Sequence, residues 1–487
     1  MPNLLWLFIT PFIIALLTFN LFFLSGKVLK RIAFCFSLVP LLLILSGLAD
    51  WIGSEIRYAW LPFISVDFYL TVDNLSFLFL CLIAFVVPIS LLATREKDIP
   101  HPHVFYGLIF ILQGLLIGFF TARDLALFTF FWEAMLIPLY FMMSIWGGER
   151  KQQAALKFLV YMVAGAALMV AAVLALYLAS EPLELGKTFD LDQLALVSQN
   201  APYAKIIFAI FLLAFAVKTP LFPFHGWLPD TYYYASSTST ILLSSILSKA
   251  GIYGILRIGM ELFPRFIQEW GPYLLGISIF GVLYGALAAW SQKDYKRLIA
   301  YSSFSHVNFI LAGLFVWNAT AHSGAIFQAL NHGITIEALF LVAAWLEQRI
   351  ETTAIGPFKG LAKYLPKLCW FTMFFVAASV ALPGTNNFVG ELIILLGVFL
   401  ANKWMAVILA LSVILSAIYM LKWMQKVYFQ EPSPFHVAWV DLNVKDILVL
   451  STLCVIIIWM GIYPKPFLRK TEMIAEKIES INEKVTS

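Results

Sequence analysis

Long apolar stretches follow one another along almost the whole chain, and short polar segments separate them. Each stretch holds about 20 residues, the length that an α-helix needs to cross the hydrocarbon core of a bilayer. The pattern therefore predicts an all-α polytopic membrane protein with about fourteen transmembrane helices. The apolar windows begin near residues 3, 32, 75, 103, 124, 153, 204, 238, 270, 296, 321, 366, 403 and 447.

Two of the predicted helices are interrupted. Pro220 follows the apolar run that ends at Lys218, and Pro383 lies in the stretch LPGTNN within a later helix. Each break falls in the fourth helix of a block of five, and an odd number of spans inverts the second block relative to the first. Paired breaks in inverted halves indicate an ion path, although neighbouring helices can also satisfy the backbone of a broken helix. We expect N-terminal helices over 1–100, a first repeat over 101–262, a second, inverted repeat over 263–430, and a last helix with an amphipathic tail over 431–487.

Composition and charge agree with a membrane protein and suggest its orientation. The chain has 487 residues, of which 61% are hydrophobic and 12% charged. If the N-terminus lies outside, 18 basic residues fall in cytoplasmic loops and 7, including Arg257, in the opposite loops. Cytoplasmic loops carry the excess of Lys and Arg, which supports this orientation. The first window lacks the basic start of a signal peptide, so we expect it to be retained as a helix. The absence of a transit peptide fits a bacterial inner membrane or an organelle-encoded chain. We expect a multi-pass protein of the bacterial inner membrane with a periplasmic N-terminus.

The sequence contains no pattern typical of a cofactor site. Its four cysteines, Cys35, Cys81, Cys369 and Cys454, have no cluster spacing, and no glycine-rich phosphate loop is present. The histidines and carboxylates have no short metal-ligand spacing, and no basic stripe favours nucleic acid. We expect any redox or nucleotide chemistry to take place on another subunit.

Ionisable side chains inside the predicted helices are the candidates for function. A charge at the centre of a membrane costs roughly 2.5–3.5 kcal/mol, so such residues usually have a role. Two of them, Lys218 and Lys249, are the basic residues that the loops and the tail do not account for. The full set is Glu133, Lys218, Lys249, His306, His332, Glu337 and Glu391.

A lysine and a carboxylate in one helix bundle can act as a proton switch. Desolvation favours the neutral form of each group, and an opposite charge nearby favours the ionised form. If Glu133 approaches Lys218, the lysine keeps its proton; if the carboxylate withdraws, the lysine can release it. The break at Pro220 would give water access to this amine. We therefore expect Lys218 to be a titrating proton carrier.

The other candidates have both a functional and a structural interpretation. Lys249 lies midway along its predicted helix, and His306 and His332 suit a proton relay because imidazole titrates near neutral pH. Either histidine could instead be a hydrogen-bonded packing residue. Glu337 lies about 140° around the helix from His332, so it is either part of the relay or a structural partner. His225, beyond the first break, is either an interfacial residue or part of a proton entrance.

Several motifs together carry a family resemblance. The stretches FFWEAMLIPLYFM, VKTPLFPFHGWLPD, SKAGIYGILR, KRLIAYSSFSHVNFILAG and LPGTNNFVGE resemble the antiporter-like membrane subunits of respiratory complex I. The resemblance implies a fourteen-helix fold with inverted repeats, neighbouring antiporter-like chains as partners, and FMN, iron–sulfur clusters, NADH and quinone bound by other subunits. It also implies that Glu133 and Lys218 are coupled, that Lys249, His306 and His332 form a central relay, and that Glu391 is the terminal site.

The sequence also departs from the family pattern. The stretch after WLPD has Tyr232, Tyr234 and Ser236 where the family usually has a histidine, an acidic or amide residue and a proline. Glu337 stands where a small residue is usual. The resemblance implies a proton-translocating subunit of respiratory complex I in which other subunits transfer the electrons from NADH to quinone. The alternatives are a subunit of a multi-chain sodium/proton antiporter or of a membrane-bound hydrogenase, a passive structural subunit, and a channel.

Overall fold

The chain is a bundle of long helices with a short β-hairpin at one end. The computed structural model describes residues 4–47, 50–94, 99–180, 187–356, 358–431 and 439–486. The helices of the first half are α1 (Leu4–Asn20), α2 (Gly26–Ser46), α3 (Asn74–Leu92), α4 (Pro102–Thr121), α5 (Leu125–Ala134), α6 (Leu136–Trp146), α7 (Lys151–Ser180), α8 (Leu191–Val197), α9 (Ala204–Lys218), α10 (Leu228–Tyr234), α11 (Ser237–Leu242) and α12 (Ser248–Gly254). Those of the second half are α13 (Pro264–Trp290), α14 (Tyr295–Leu314), α15 (Ala319–Ile350), α16 (Pro366–Ser379), α17 (Asn386–Ala401), α18 (Lys403–Met424), α19 (Val444–Ile462) and α20 (Lys465–Thr486).

Three π-helical turns join or extend these helices. They span Leu243–Leu247, Ile255–Met260 and Gln425–Phe429. The first two make α11 and α12 parts of one continuous helical segment, Ser237–Met260, which is fully buried. Short 3₁₀ turns occur at Pro62–Ile64, Ser198–Asn200 and Leu361–Lys363.

Ten helical segments of the described ranges are long and apolar enough to cross a membrane. The windows predicted near residues 3, 204, 296 and 366 coincide with α1, α9, α14 and the pair α16 and α17, which are shorter or less apolar. A multi-pass helical membrane fold is therefore confirmed. The number fourteen requires that these four regions cross as well.

The β-hairpin consists of β1 (Glu55–Leu61) and β2 (Val66–Thr71), which pair antiparallel. The hydrophobic pattern of the sequence does not predict this hairpin. The Asp67 amide donates to the Asp124 carboxylate over 3.0 Å, and the Arg123 amide donates to the Tyr69 carbonyl over 2.9 Å. These bonds fix the hairpin to the start of α5. We call this end of the bundle the hairpin face.

The loop position expected for Arg257 is wrong. Its side chain is 1% exposed and lies in the last turn of the Ser237–Met260 segment. The guanidinium is paired with Asp73 and Glu261, and a buried charge is tolerated when it is paired and hydrogen-bonded. Of the basic residues used for the orientation, Arg95 and Lys97 lie outside the described residues.

Both predicted interruptions coincide with gaps between helices. Helix α9 ends at Lys218 and helical structure resumes at Leu228, while α16 ends at Ser379 and α17 begins at Asn386. A broken helix leaves backbone carbonyls without helical partners. At the first gap, the Trp227 indole donates to the Val217 carbonyl over 3.0 Å and the Asn308 amide donates to the Pro220 carbonyl over 3.3 Å.

Candidate functional site

Lys249 and His332 make direct contact in the centre of the bundle. Lys249 lies on α12 and His332 on α15, and both are buried. The lysine Nζ donates to the histidine Nδ1 over 2.8 Å, to the Ser244 carbonyl over 2.6 Å and to the Ser248 hydroxyl over 3.2 Å. An ammonium has three protons to donate, so these acceptors match its capacity. The Nδ1 atom of His332 is thus placed to take a proton from Lys249.

The contacts continue from His332 to a carboxylate on α17. The rings of His332 and His306, which lies on α14, have centroids 5.8 Å apart. The Nδ1 atom of His306 lies 3.1 Å from Oε1 of Glu391. Among the described residues, Nε2 of each histidine has no hydrogen-bond partner. Because each ring keeps one nitrogen uncommitted, each can accept a proton at one atom and donate at the other.

Amide side chains surround the Glu391 end of this row. The Gln328 amide donates to Oε1 of Glu391 over 3.2 Å. Asn331 donates to the Asn386 carbonyl over 2.9 Å, and Asn386 donates back to the Asn331 carbonyl over 3.2 Å. This exchange ties the start of α17 to α15 across the second break. These amides are not among the residues that the sequence predicts for the site, because they carry no charge.

Lys218 lies at the end of α9, apart from this row. Its Nζ donates to the Trp132 carbonyl over 2.9 Å and lies 4.0 Å from the centroid of the Trp132 ring. Within the described part of the chain, it forms no ion pair with Glu133. The Oε1 atom of Glu133 is buried without a hydrogen-bond partner there. The two residues are therefore neighbours through Trp132 and not a closed ion pair in this conformation.

Thr219 brings the break after Lys218 against the helix that carries Lys249. A Cβ atom added at Gly251, two residues after Lys249, would lie 1.7 Å from the Thr219 hydroxyl and 3.0 Å from the Phe215 carbonyl. The glycine thus permits α9 to approach α12 closely. Among the described residues, the buried Thr219 hydroxyl has no hydrogen-bond partner. The break after Lys218 therefore packs directly against the helix that carries Lys249.

Replacing Gly251 by alanine should separate these helices and destabilise the protein. An added methyl group in a close-packed core typically costs 1–3 kcal/mol, so we expect a lower unfolding temperature of the detergent-solubilised protein. Gly276→Ala is the matched control, because no atom lies within 4 Å of a Cβ added there. Equal unfolding temperatures for the two variants would show that α9 and α12 are not tightly packed.

Glu337 and His225 lie outside the row of contacts. Glu337 is fully buried on α15, and neither of its oxygens has a hydrogen-bond partner among the described residues. His225 lies in the first break, where its ring packs at centroid distances of 4.5 Å from Phe304 and 5.0 Å from Tyr284. Tyr232, one of the departures from the family pattern, is fully buried beside Phe340.

The geometry suits proton transfer and offers no metal site among the described residues. Groups of three or more His, Cys, Asp or Glu that could hold a metal ion are absent from the part of the chain that the structure describes. Lys249, His332, His306 and Glu391 come from four different helices, yet each lies next to the following one. All four can bind and release a proton. Such a row can pass protons sideways through the bundle.

The chain as a whole is similar in sequence to a known family and to named proteins of other organisms. A family model described as "NADH:quinone oxidoreductase/Mrp antiporter, TM" matches residues 122–435. NADH-quinone oxidoreductase subunit M of Rickettsia typhi is 35% identical over 425 residues, which are 87% of this chain and 85% of the relative. The Escherichia coli K12 protein of the same name is 33% identical. That match covers 87% of this chain and 84% of the relative.

A solved structure extends the similarity to the fold. One chain of respiratory complex I from Thermus thermophilus with bound NADH superposes with a TM-score of 0.88 at 31% sequence identity. The superposition covers 98% of this chain and 99% of that one. The similarity thus includes both broken helices and the residues between them.

Proposed function

This chain belongs to the family of membrane subunits shared by NADH:quinone oxidoreductases and Mrp antiporters, and from that premise we propose that it is the proton-pumping subunit M of a respiratory NADH:quinone oxidoreductase. Other subunits of the complex transfer electrons from NADH to quinone, and this chain moves protons. Its neighbours in the membrane are further antiporter-like subunits. The cofactors, namely FMN and iron–sulfur clusters, belong to the partner subunits.

The contact row from Lys249 to Glu391 is the observation that carries the mechanism. A proton released by Lys249 reaches His332 across their 2.8 Å contact. It passes from His332 to His306 by a small ring rotation or through one bridging water, and then to Glu391 across 3.1 Å. Redox events in partner subunits can drive this transfer only by changing the populations of states that differ in proton affinity or water access.

Lys218 and Glu133 supply the proton at the other end of the path. The ammonium of Lys218 stays protonated while the Glu133 carboxylate is near and releases its proton when the carboxylate withdraws. Thr219 packs the break after Lys218 against the helix that carries Lys249, and the proton passes between the two lysines in this region of the bundle. Glu337 adds a buried carboxyl group five residues after His332 on the same helix, where it tunes the relay, and His225 takes part in uptake near the Pro220 break.

The finer architecture belongs to the same proposal. The chain crosses the membrane fourteen times, with its N-terminus on the periplasmic side, and the regions 101–262 and 263–430 are inverted five-helix repeats. The positions of the two breaks, near Pro220 and Pro383, support the repeats. The π-helical turns support them too, because Ile255–Met260 and Gln425–Phe429 each end the fifth helix of a repeat. The regions 1–100 and 431–487 flank these repeats.

Replacing His332 by asparagine should stop proton transfer while the complex still assembles. Asparagine keeps a hydrogen-bonding side chain of smaller size but has no group that titrates near neutral pH. A positioned proton-transfer group contributes roughly 10²–10⁴-fold to rate. We therefore expect the proton flux through this chain, measured as NADH-driven acidification of proteoliposomes, to fall by about 100-fold.

His322→Asn is the matched control on the same helix. His322 is also fully buried, but its Nε2 lies 3.2 Å from the Leu314 carbonyl and its ring packs against Trp317. We expect this variant to pump as the unaltered complex does. If both variants pump normally, or if both lose pumping in step with lost assembly, the relay assignment is contradicted.

A further inference from the structure

The helix that carries Lys249 continues toward the hairpin face with a polar residue at every fourth position. The row is Lys249, Tyr253, Arg257 and Glu261. Residues four apart share one face of a helix, with about 6 Å of rise between them. This row extends from Lys249 to the hairpin face. Whether Lys249 exchanges protons with that face therefore depends on whether the side chains of the row can pass protons.

Phenylalanine side chains enclose Tyr253, the first residue of the row after Lys249. We call Phe79, Phe119, Phe120 and Phe128 the aromatic collar. All four are fully buried, and their ring centroids lie 4.8–6.4 Å from that of Tyr253. Phe79 and Phe120 also stack on each other at 4.7 Å. A close-packed apolar layer of this kind leaves little room for water.

Besides a contact of 3.3 Å with the Ser76 hydroxyl, the Tyr253 hydroxyl has its proton directed to a backbone carbonyl, which does not pass protons on. It donates its proton to the Phe120 carbonyl over 2.7 Å. It accepts from Nε and Nη2 of Arg257 over 3.1 and 3.0 Å. A phenolic hydroxyl has one proton to donate, and a backbone carbonyl already holds it.

Arg257 closes the row beyond the aromatic collar. Its guanidinium donates in bidentate fashion to Asp73 over 2.7 and 2.9 Å and to Glu261 over 2.8 Å. A guanidinium does not release its proton in a protein. Burial opposes ionisation of Asp73, yet the charge of Arg257 and its hydrogen bonds hold the pKa of that carboxyl well below its usual range. Arg123 binds the other Glu261 oxygen over 3.0 Å.

A cavity reaches this ion cluster from the hairpin face. It has a volume of about 180 Å³ and is lined by Asp73, Glu261 and Leu256 together with Ile474 and Lys477 of α20. Solvent on that face can therefore approach the carboxylates. The path inward then meets the guanidinium and, behind it, the aromatic collar.

We propose that the aromatic collar and Arg257 form a proton seal that prevents Lys249 from exchanging protons with the hairpin face. The inference rests on the proposed role of Lys249 as a proton carrier. The collar excludes water between Lys249 and Arg257, and the guanidinium, which does not release a proton, separates the collar from the Asp73 and Glu261 carboxylates. Protons on Lys249 are therefore directed to His332 and do not leak outward along their own helix.

Phe120→Ala opens the seal while the Phe120 carbonyl still accepts from Tyr253. The whole complex carrying this variant is reconstituted into liposomes with an internal pH dye, and passive proton flux is measured under a potassium diffusion potential without NADH. We expect a several-fold higher flux than in the unaltered complex. Phe79→Ala serves as a second opening variant, and Phe375→Ala, a fully buried phenylalanine of α16, is the control that should not leak.

The double variant Phe120→Ala with Lys249→Met tests whether the leak passes through the lysine. We expect the leak to return to the unaltered level. Two results overturn the seal: assembled Phe120→Ala and Phe79→Ala complexes that do not leak, or a leak that persists in the double variant. Because NADH is absent, these results stay separate from the pumping measured for His332→Asn, which tests the proposed function itself.

Discussion

A complex in which Lys249 is replaced by methionine is expected to assemble but to lose proton translocation through this chain. Lys249 is the group from which the row toward Glu391 begins, and its Nζ makes three hydrogen bonds in a fully buried position. Methionine has a similar length and no proton to transfer. Because a positioned proton-transfer group contributes roughly 10²–10⁴-fold to rate, we expect proton translocation to fall by about 100-fold or more, as for His332→Asn.

Assembly and charge need separate controls for this variant. Lys296→Met removes another largely buried lysine, whose partner is Glu347 near the end of α15 at 3.2 Å. This control should keep pumping, because Lys296 does not contact the row. The relevant quantity is the pH change per NADH oxidised, normalised to the amount of intact complex. Unchanged translocation in an assembled Lys249→Met complex would remove Lys249 from the path.

Replacing Lys218 by arginine is the second substitution with a large expected effect. Arginine keeps the positive charge and can donate to the Trp132 carbonyl and stack on its ring, as Lys218 does. It cannot release a proton. If Lys218 is a titrating carrier, the variant should assemble and still translocate almost no protons. If Lys218 serves only as a fixed charge, the variant should pump normally.

The same helix provides a matched control for this exchange. Lys205, near the start of α9, also lies over an indole ring, 5.9 Å from the centroid of Trp270, and it pairs with Glu269. It is about half exposed, so Lys205→Arg repeats the chemistry of the substitution outside the proposed path. We expect Lys205→Arg to be silent. Full transport by Lys218→Arg would contradict the carrier role.

The hydrophobic pattern was sufficient to predict the helices, but not the hairpin. Each apolar window overlaps a helix because the length of an uninterrupted apolar run is set by the bilayer. The strands Glu55–Leu61 and Val66–Thr71 are short and fall between windows. Their attachment to the bundle includes bonds to Arg123 and Asp124, which are more than 50 residues away in the sequence, so the local pattern gives a weak signal.

Residue type identified the relay candidates, whereas their contacts depend on the packing of helices. Nothing in the spacing of Lys249 and His332 shows that they touch, because they lie on α12 and α15. The resemblance to a known family supplied their order. Arg257 was misplaced because a charge near the end of an apolar run suggests a loop, although the four-residue spacing from Lys249 through Tyr253 to Arg257 was visible in the sequence.

The most direct test of the central claim is to tag this chain, solubilise native membranes gently, and reconstitute the purified assembly into liposomes. We predict that the assembly shows flavin and iron–sulfur absorbance, oxidises NADH with quinone, and acidifies the liposome interior in step with that oxidation. A colourless assembly without NADH oxidation, or one that oxidises NADH without moving protons, would contradict the account.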